Sequence, residues 1–357
     1  SSAKGLAYYE HNKATVAWLE GKGELPPPIE VNLDPYAECN LECGFCITQR
    51  YLKGLGRAEV GTMRKLPAEY MHRLVDFLAD WGVKGLCISG GGEPSLHEEV
   101  PHIIKHADSR GMKVAMFTNA VNISDKLAYE AMKCQWITLS VDASDAEEYA
   151  KIKGKDRMNS VLANIRSLVE SRRNLRSKVM LTWCSLVLPE NQYTLHNQSQ
   201  LAKELGVQVF RVRPVDFERN DIVGHRPLPI DVPAVMEQFR LCHGEETQDF
   251  QVFTTTHKFD ANFHVQHDFK RCYPTLILPI LSDGNGYLCV DKKMEVPFKL
   301  GSAYPNPETI LEWWGSDAHR NLIKSVEISK CSRCTGSIYN RQIEEVVLKD
   351  GMALAFP

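Results

Sequence analysis

Apolar and polar residues alternate through Ile29, Glu30, Val31, Asn32 and Leu33, the period-two pattern of a half-buried strand. Pro26, Pro27 and Pro28 separate that strand from a helical lead-in over residues 8–20. Further on the period lengthens, and Met71, Leu74, Val75 and Leu78 fall at helical spacing between Pro67 and Trp81, with Pro67 suited to a first turn. Short apolar runs then alternate with helical patterns. Strands are expected at 85–89, 113–118, 136–141, 179–188 and 207–212. Helices are expected at 98–110, 124–133, 159–173 and 191–205, with Ser124 as an N-cap and Gly111 and Gly206 as stops. Six strands with mostly helical crossovers, several apolar on both faces, predict a parallel sheet with right-handed connections. The count alone fits an open doubly wound sheet as well as a partial barrel.

Composition narrows the partners. The chain has 357 residues, 43% hydrophobic and 24% charged, with a formal charge of −3, which gives no electrostatic reason to expect nucleic acid. The longest apolar run, Leu276 to Leu281, contains Pro279 and is too short to span a bilayer, and the N-terminus has no apolar signal-peptide core. Neither a nucleic-acid nor a membrane partner is expected. Eleven cysteines without a secretory signal point to a reducing, cytoplasmic setting and to metal or redox use.

The stretch Glu38-Cys39-Asn40-Leu41-Glu42-Cys43-Gly44-Phe45-Cys46 spaces three cysteines as C-x3-C-x2-C. An odd number of thiols makes a poor disulfide set; three thiolates on one loop make three quarters of a [4Fe–4S] cage and leave one iron open. A zinc loop or a chance grouping is the competing reading. With Phe45 just before its last cysteine, the motif resembles the radical S-adenosylmethionine (radical SAM) superfamily. The resemblance implies a partial (β/α)6 TIM-like barrel with its chemistry at the strands' C-terminal ends. It also implies an open iron that chelates SAM, and a 5′-deoxyadenosyl radical that abstracts hydrogen. An electron donor such as flavodoxin or ferredoxin would reduce the cluster.

Other residues join by the same likeness. Ser89-Gly90-Gly91-Gly92-Glu93-Pro94 lets the backbone approach a ligand, and Glu93 adds an acceptor for an amine. In the family the matching motif binds SAM's amino group, so Gly91, Gly92 and Glu93 are expected to do so. Asn119 and Ser140, at the ends of the third and fourth strands, resemble contacts to the ribose and carboxylate. Phe45 is expected beside the adenine. Arg211 and Arg213 lie two apart, hence on one strand face, and would meet an anion if that face is interior.

Cys272, Cys289, Cys331 and Cys334 form a second set, with a hairpin signal at Gly284-Asn285-Gly286. Four thiolates suit Zn²⁺ or a fully ligated [4Fe–4S] cluster equally. Attached to such a barrel they resemble the twitch form of auxiliary-cluster module, without the further cysteines of the longer SPASM form. The expected organisation is an N-terminal lead-in over 1–28, the barrel over 29–215, a bridge over 216–270 and a small C-terminal α+β auxiliary-cluster domain over 271–357.

Two [4Fe–4S] clusters and SAM are thus the expected cofactors. The arrangement is similar to radical SAM alcohol dehydrogenases of aminocyclitol antibiotic biosynthesis. That likeness implies oxidation of a secondary alcohol in a small carbohydrate or aminocyclitol, with the auxiliary cluster taking the second electron. Epimerisation is the rival and needs a cysteine hydrogen donor, for which Cys184 and Cys242 are the candidates against a bland role as small buried hydrophobes. Peptide side-chain modification ranks third, since the 38 residues ahead of Cys39 are few for a leader-binding domain. Asp216, Arg219, His225, His257, Asp260 and His264 could line a pocket, with a His or Asp among them as general base, and read equally well as a solvated linker.

Overall fold

A computed structural model describes residues 6–46, 48, 63–215, 229–256, 267–331 and 334–349. After the helix Tyr9–Leu19 the strands run β1 (Glu30–Leu33), β2 (Gly85–Ile88), β3 (Lys113–Thr118), β4 (Trp136–Ser140), β5 (Met180–Val187) and β6 (Val209–Pro214). All six expected strands form, within one or two residues of the predicted bounds. Four more follow: β7 (Gln251–Thr254), β8 (Ile277–Ile280), β9 (Asn285–Tyr287) and β10 (Lys299–Ser302).

They make one sheet in the order β10-β9-β8-β1-β2-β3-β4-β5-β6-β7. Every neighbouring pair from β8 through β1 to β7 is parallel, while β8-β9 and β9-β10 are antiparallel. β7 and β8 do not pair, so among the described residues the barrel stays open. The segment read as a bridge carries the helix Val232–Gly244 and β7, and the C-terminal segment continues the sheet by laying β8 against β1.

One face of the sheet lies under the helices. Val31, Leu33, Leu86, Ile88, Val114, Met116, Ile137, Leu139, Leu181, Trp183, Phe210 and Val212 are all at most 1% exposed. Alternation then turns Thr138, Ser140, Cys184, Leu186, Arg211 and Arg213 to the other face, where the register sets Ser140 beside Cys184, Cys184 beside Arg211 and Leu186 beside Arg213. A row of polar groups is thereby delivered to one mouth of the barrel by period two alone.

Local details adjust the sequence reading. Pro67 is extended, with φ −62° and ψ 142°, so it caps the helix Ala68–Trp81 instead of opening it. Ser124 does cap its helix, accepting from Leu127 N at 3.2 Å. In the β8–β9 hairpin Gly284 alone takes positive φ (+78°), while Asn285 and Gly286 already belong to β9.

Candidate active site

At the C-terminal ends of the strands lies a cleft lined by Cys39, Cys43, Phe45, Cys46, Gly91, Gly92, Glu93, Asn119, Ser140, Cys184 and Arg213. Its wall begins with the cysteine loop, which three backbone contacts pin in place. Glu93 N donates to Glu38 O at 2.7 Å, Glu42 N donates to Lys153 O at 2.9 Å, and Cys46 N closes a turn on Cys43 O at 3.1 Å. The glycines serve this docking. A methyl group at Gly92 would run into the backbone of Glu38, so part of the close approach is to the cysteine loop itself.

Glu93 is fully buried and accepts from Thr118 Oγ1 at 2.6 Å, Asn119 N at 2.8 Å and Ser95 N at 3.0 Å. Burial pushes its carboxyl pKa up, against those three hydrogen bonds. Asn119 Nδ2 donates to Asn40 Oδ1 at 2.7 Å, tying the end of β3 to the cysteine loop. Arg213 lines the cleft, whereas Arg211, on the same strand face and electrostatically close to Cys184, is exposed outside it. Burial raises the Cys184 thiol pKa, which Arg213 pulls the other way. Cys242 is elsewhere: it is fully buried on the helix Val232–Gly244, hydrogen-bonded to Ser199, with its thiol pushed up to about 12. The candidate pocket residues Asp216, Arg219, His225, His257, Asp260 and His264 lie outside the described residues.

Sequence reasoning missed Lys153. It ends the helix Ala146–Lys153, pairs with Asp142 in full burial, and holds its ammonium 5.4 Å from the Phe45 ring. Asp142 also accepts from Leu186 N at 2.6 Å. The ammonium opposes the rise that burial imposes on Cys43, whose thiol stands at about 11. Asp145 caps that helix, accepting from Glu148 N at 2.9 Å, while Glu148 accepts from Ser144 N at 2.6 Å; such a pattern marks a helix start but not the burial or the partner of Lys153.

The second cysteine set is gathered from three segments. Cys272, Cys289 and Cys334 line one hollow, and Cys331 lies close enough to Cys272 to raise its thiol. Asp291 ties the segments together, accepting from Thr335 Oγ1 at 2.8 Å while its own N–H donates to Cys289 Sγ at 3.3 Å. Burial raises all three of Cys272, Cys289 and Cys331.

The family description "Radical SAM superfamily" matches residues 33–183, from the end of β1 to the middle of β5. Residues 33–183 carry a radical SAM domain. The chain is 24% identical over 210 residues to the antilisterial bacteriocin subtilosin biosynthesis protein AlbA of Bacillus subtilis, covering 57% of this chain and 44% of AlbA. It is 28% identical over 201 residues to an S-adenosylmethionine-dependent nucleotide dehydratase of Flammeovirga pacifica, covering 54% of this chain and 66% of that protein. The crystal structure of Streptococcus suis SuiB bound to S-adenosylmethionine shares the fold, with a TM-score of 0.65 at 18% identity over 91% of this chain and 75% of SuiB. This chain therefore spans less than half the length of AlbA and about two thirds of the dehydratase.

The radical SAM domain implies one [4Fe–4S] cluster and SAM, and the residues present fit both. Among the described residues no three His, Cys, Asp or Glu side chains converge on a single metal ion, but a cluster asks each thiolate for a separate iron. Cys39, Cys43 and Cys46 face an open cleft whose other wall offers backbone and carboxylate acceptors for an amine. A buried ammonium beside Cys43 favours the thiolate form.

Proposed function

We propose that the chain is a radical SAM oxidoreductase that removes two hydrogens from a carbinol of a small sugar or aminocyclitol. Cys39, Cys43 and Cys46 would hold a [4Fe–4S] cluster, whose chemistry with SAM would be one-electron cleavage to a hydrogen-abstracting species. The protein's part is placement. The glycine loop and Glu93 would orient the amino group of SAM, Phe45 would face its adenine, and Arg213 would attract an anionic group of SAM or substrate. Substrate would lie over the polar rows of β4 and β5, near Ser140 and Cys184. In the overall conversion the carbon loses a hydrogen atom, the hydroxyl a proton, and one further electron must leave.

The observation that carries the oxidative reading is the second cysteine set. Three thiols line one hollow and a fourth, Cys331, lies close to Cys272, in a chain that carries a radical SAM domain over residues 33–183. A fully ligated cluster there would supply a one-electron acceptor. Incubating reduced, reconstituted protein with SAM and candidate aminocyclitols should give a product two hydrogens lighter, together with 5′-deoxyadenosine. Failure to form 5′-deoxyadenosine with any candidate and any reductant would sink the reading.

Two observations favour other substrate outcomes. Cys184 reaches the cleft as a protonated thiol, the form that returns a hydrogen atom, which suits epimerisation with unchanged mass or one deuterium gained in heavy water. Likeness to a bacteriocin biosynthesis protein suits a peptide side chain as the oxidised group. Product mass separates the first, and trials with peptides the second.

A further inference from the structure

The segment following Cys289 does not stay with the second cysteine set. It crosses to the first site within five residues. Asp291 still binds Thr335 beside Cys334. Two residues later Lys293 Nζ sits 2.6 Å from Asp34 Oδ2, the ammonium 11% and the carboxylate 1% exposed. Asp34 follows β1 directly, and its other oxygen accepts from Ser89 Oγ at 2.7 Å, the residue that opens the glycine loop. Met294 then stands with its methyl against Gly91, where any Cβ would overlap it, and holds a φ of +72° that a non-glycine residue adopts only when its surroundings impose it. One short segment thus binds the second cysteine set at one end and fixes both the start and the middle of the glycine loop at the other.

We propose that residues 289–294 form a strap through which the second cysteine set sets the shape of the SAM pocket, with Lys293 and Met294 as its positioning residues. When Cys289 is held, Asp291 anchors the segment, Lys293 satisfies the buried Asp34 carboxylate, and Met294 props Gly91 in the conformation the ligand meets. When the second set is broken, the anchor is lost and both contacts loosen together. The two sites are then coupled in binding as well as through any electron transfer. This rests on the reading of the glycine loop as the SAM site, and it holds whether the second set takes a cluster or zinc.

The test is the SAM dissociation constant of the full, anaerobically reconstituted chain by equilibrium dialysis, with iron bound at the first set checked by its spectrum in every variant. Cys289→Ala is expected to weaken SAM binding about tenfold. Met294→Gly, which suits the positive φ and so protects folding, is expected to weaken it similarly. The double variant should be no weaker than either single one, because both changes cut the same strap. The pair Asp34→Asn with Lys293→Met, which leaves no orphaned charge, should behave alike, and Lys293→Arg should retain wild-type affinity. Unchanged affinity in Cys289→Ala or Met294→Gly with the first set loaded would overturn the proposal, as would effects that multiply. Wild-type protein that fails to bind SAM at all would instead break the functional reading beneath it.

Discussion

The two cysteine sets solve the problem of gathering thiolates in opposite ways. Cys39, Cys43 and Cys46 share one loop of eight residues, docked by backbone contacts to Lys153 and Glu93, with an ammonium beside them and a cleft before them. Cys272, Cys289, Cys331 and Cys334 come from three segments held by Asp291, and burial dominates the pKa of each thiol for which a shift is resolved. The first is local, with three thiols facing an open cleft; the second is long-range, with four half-buried thiols drawn from separate segments. Three thiols before an open cleft suit binding and activating a ligand, whereas four thiols, if they ligate one cluster, would suit storing or passing charge.

The strongest break in this comparison is loss of the first set. Replacing Cys39, Cys43 and Cys46 with Ala should abolish 5′-deoxyadenosine formation to background and halve bound iron, from about eight to about four per chain. Iron analysis beside chromatography of the nucleoside products reads both at once. Next in size, Cys272→Ala with Cys289→Ala should abolish the oxidised product while the first cluster keeps its reduced-state EPR signal; a normal yield of oxidised product would remove the electron-acceptor role.

The charge beside the first set can be tested through stability. Lys153→Met strands Asp142 in the interior, which should cost about 3–5 kcal/mol in chemical denaturation, whereas Lys153→Met with Asp142→Asn should recover much of it. If the single and double variants unfold alike, the pair is not a coupled unit.

The smallest effect concerns how the second region is fastened. His319 packs at a tilt between Trp18 and Trp314, at ring separations of 5.2 and 4.9 Å, and burial lowers its pKa from 6.5 to about 4. Between those values the unfolded chain binds the extra proton and the folded one does not. Stability from this group is therefore full above about pH 6.5 and is lost as pH falls toward 4, by roughly 3 kcal/mol at most. Denaturant midpoints at pH 5 and 7 should converge in His319→Phe, leaving a residual slope from His11 and His97, which burial also lowers.

The same contrast explains what was legible beforehand. The six strands, the cysteine loop and the glycine run all announce themselves through spacing within a few residues, and the structure brings Phe45, Glu93, Asn119, Ser140, Cys184 and Arg213 to one cleft. Parity placed Arg211 and Arg213 on one face but could not say how far up the strand the cleft reaches. Lys153 was not readable, because its pairing with Asp142 joins a helix end to the segment after β4 and follows from the fold. The pairing of β8 with β1, the contact of Lys293 with Asp34 and that of Met294 with Gly91 join positions about 200 or more apart in the chain, and no local periodicity encodes them.

Mössbauer spectroscopy of ⁵⁷Fe-reconstituted protein, recorded with and without SAM, tests the central claim most directly. Two [4Fe–4S] clusters are expected, about eight irons per chain, with SAM perturbing one iron site in the cluster held by Cys39, Cys43 and Cys46 and leaving the other cluster unchanged. A single cluster with zinc on the second cysteine set, or spectra that SAM does not alter, would contradict that claim.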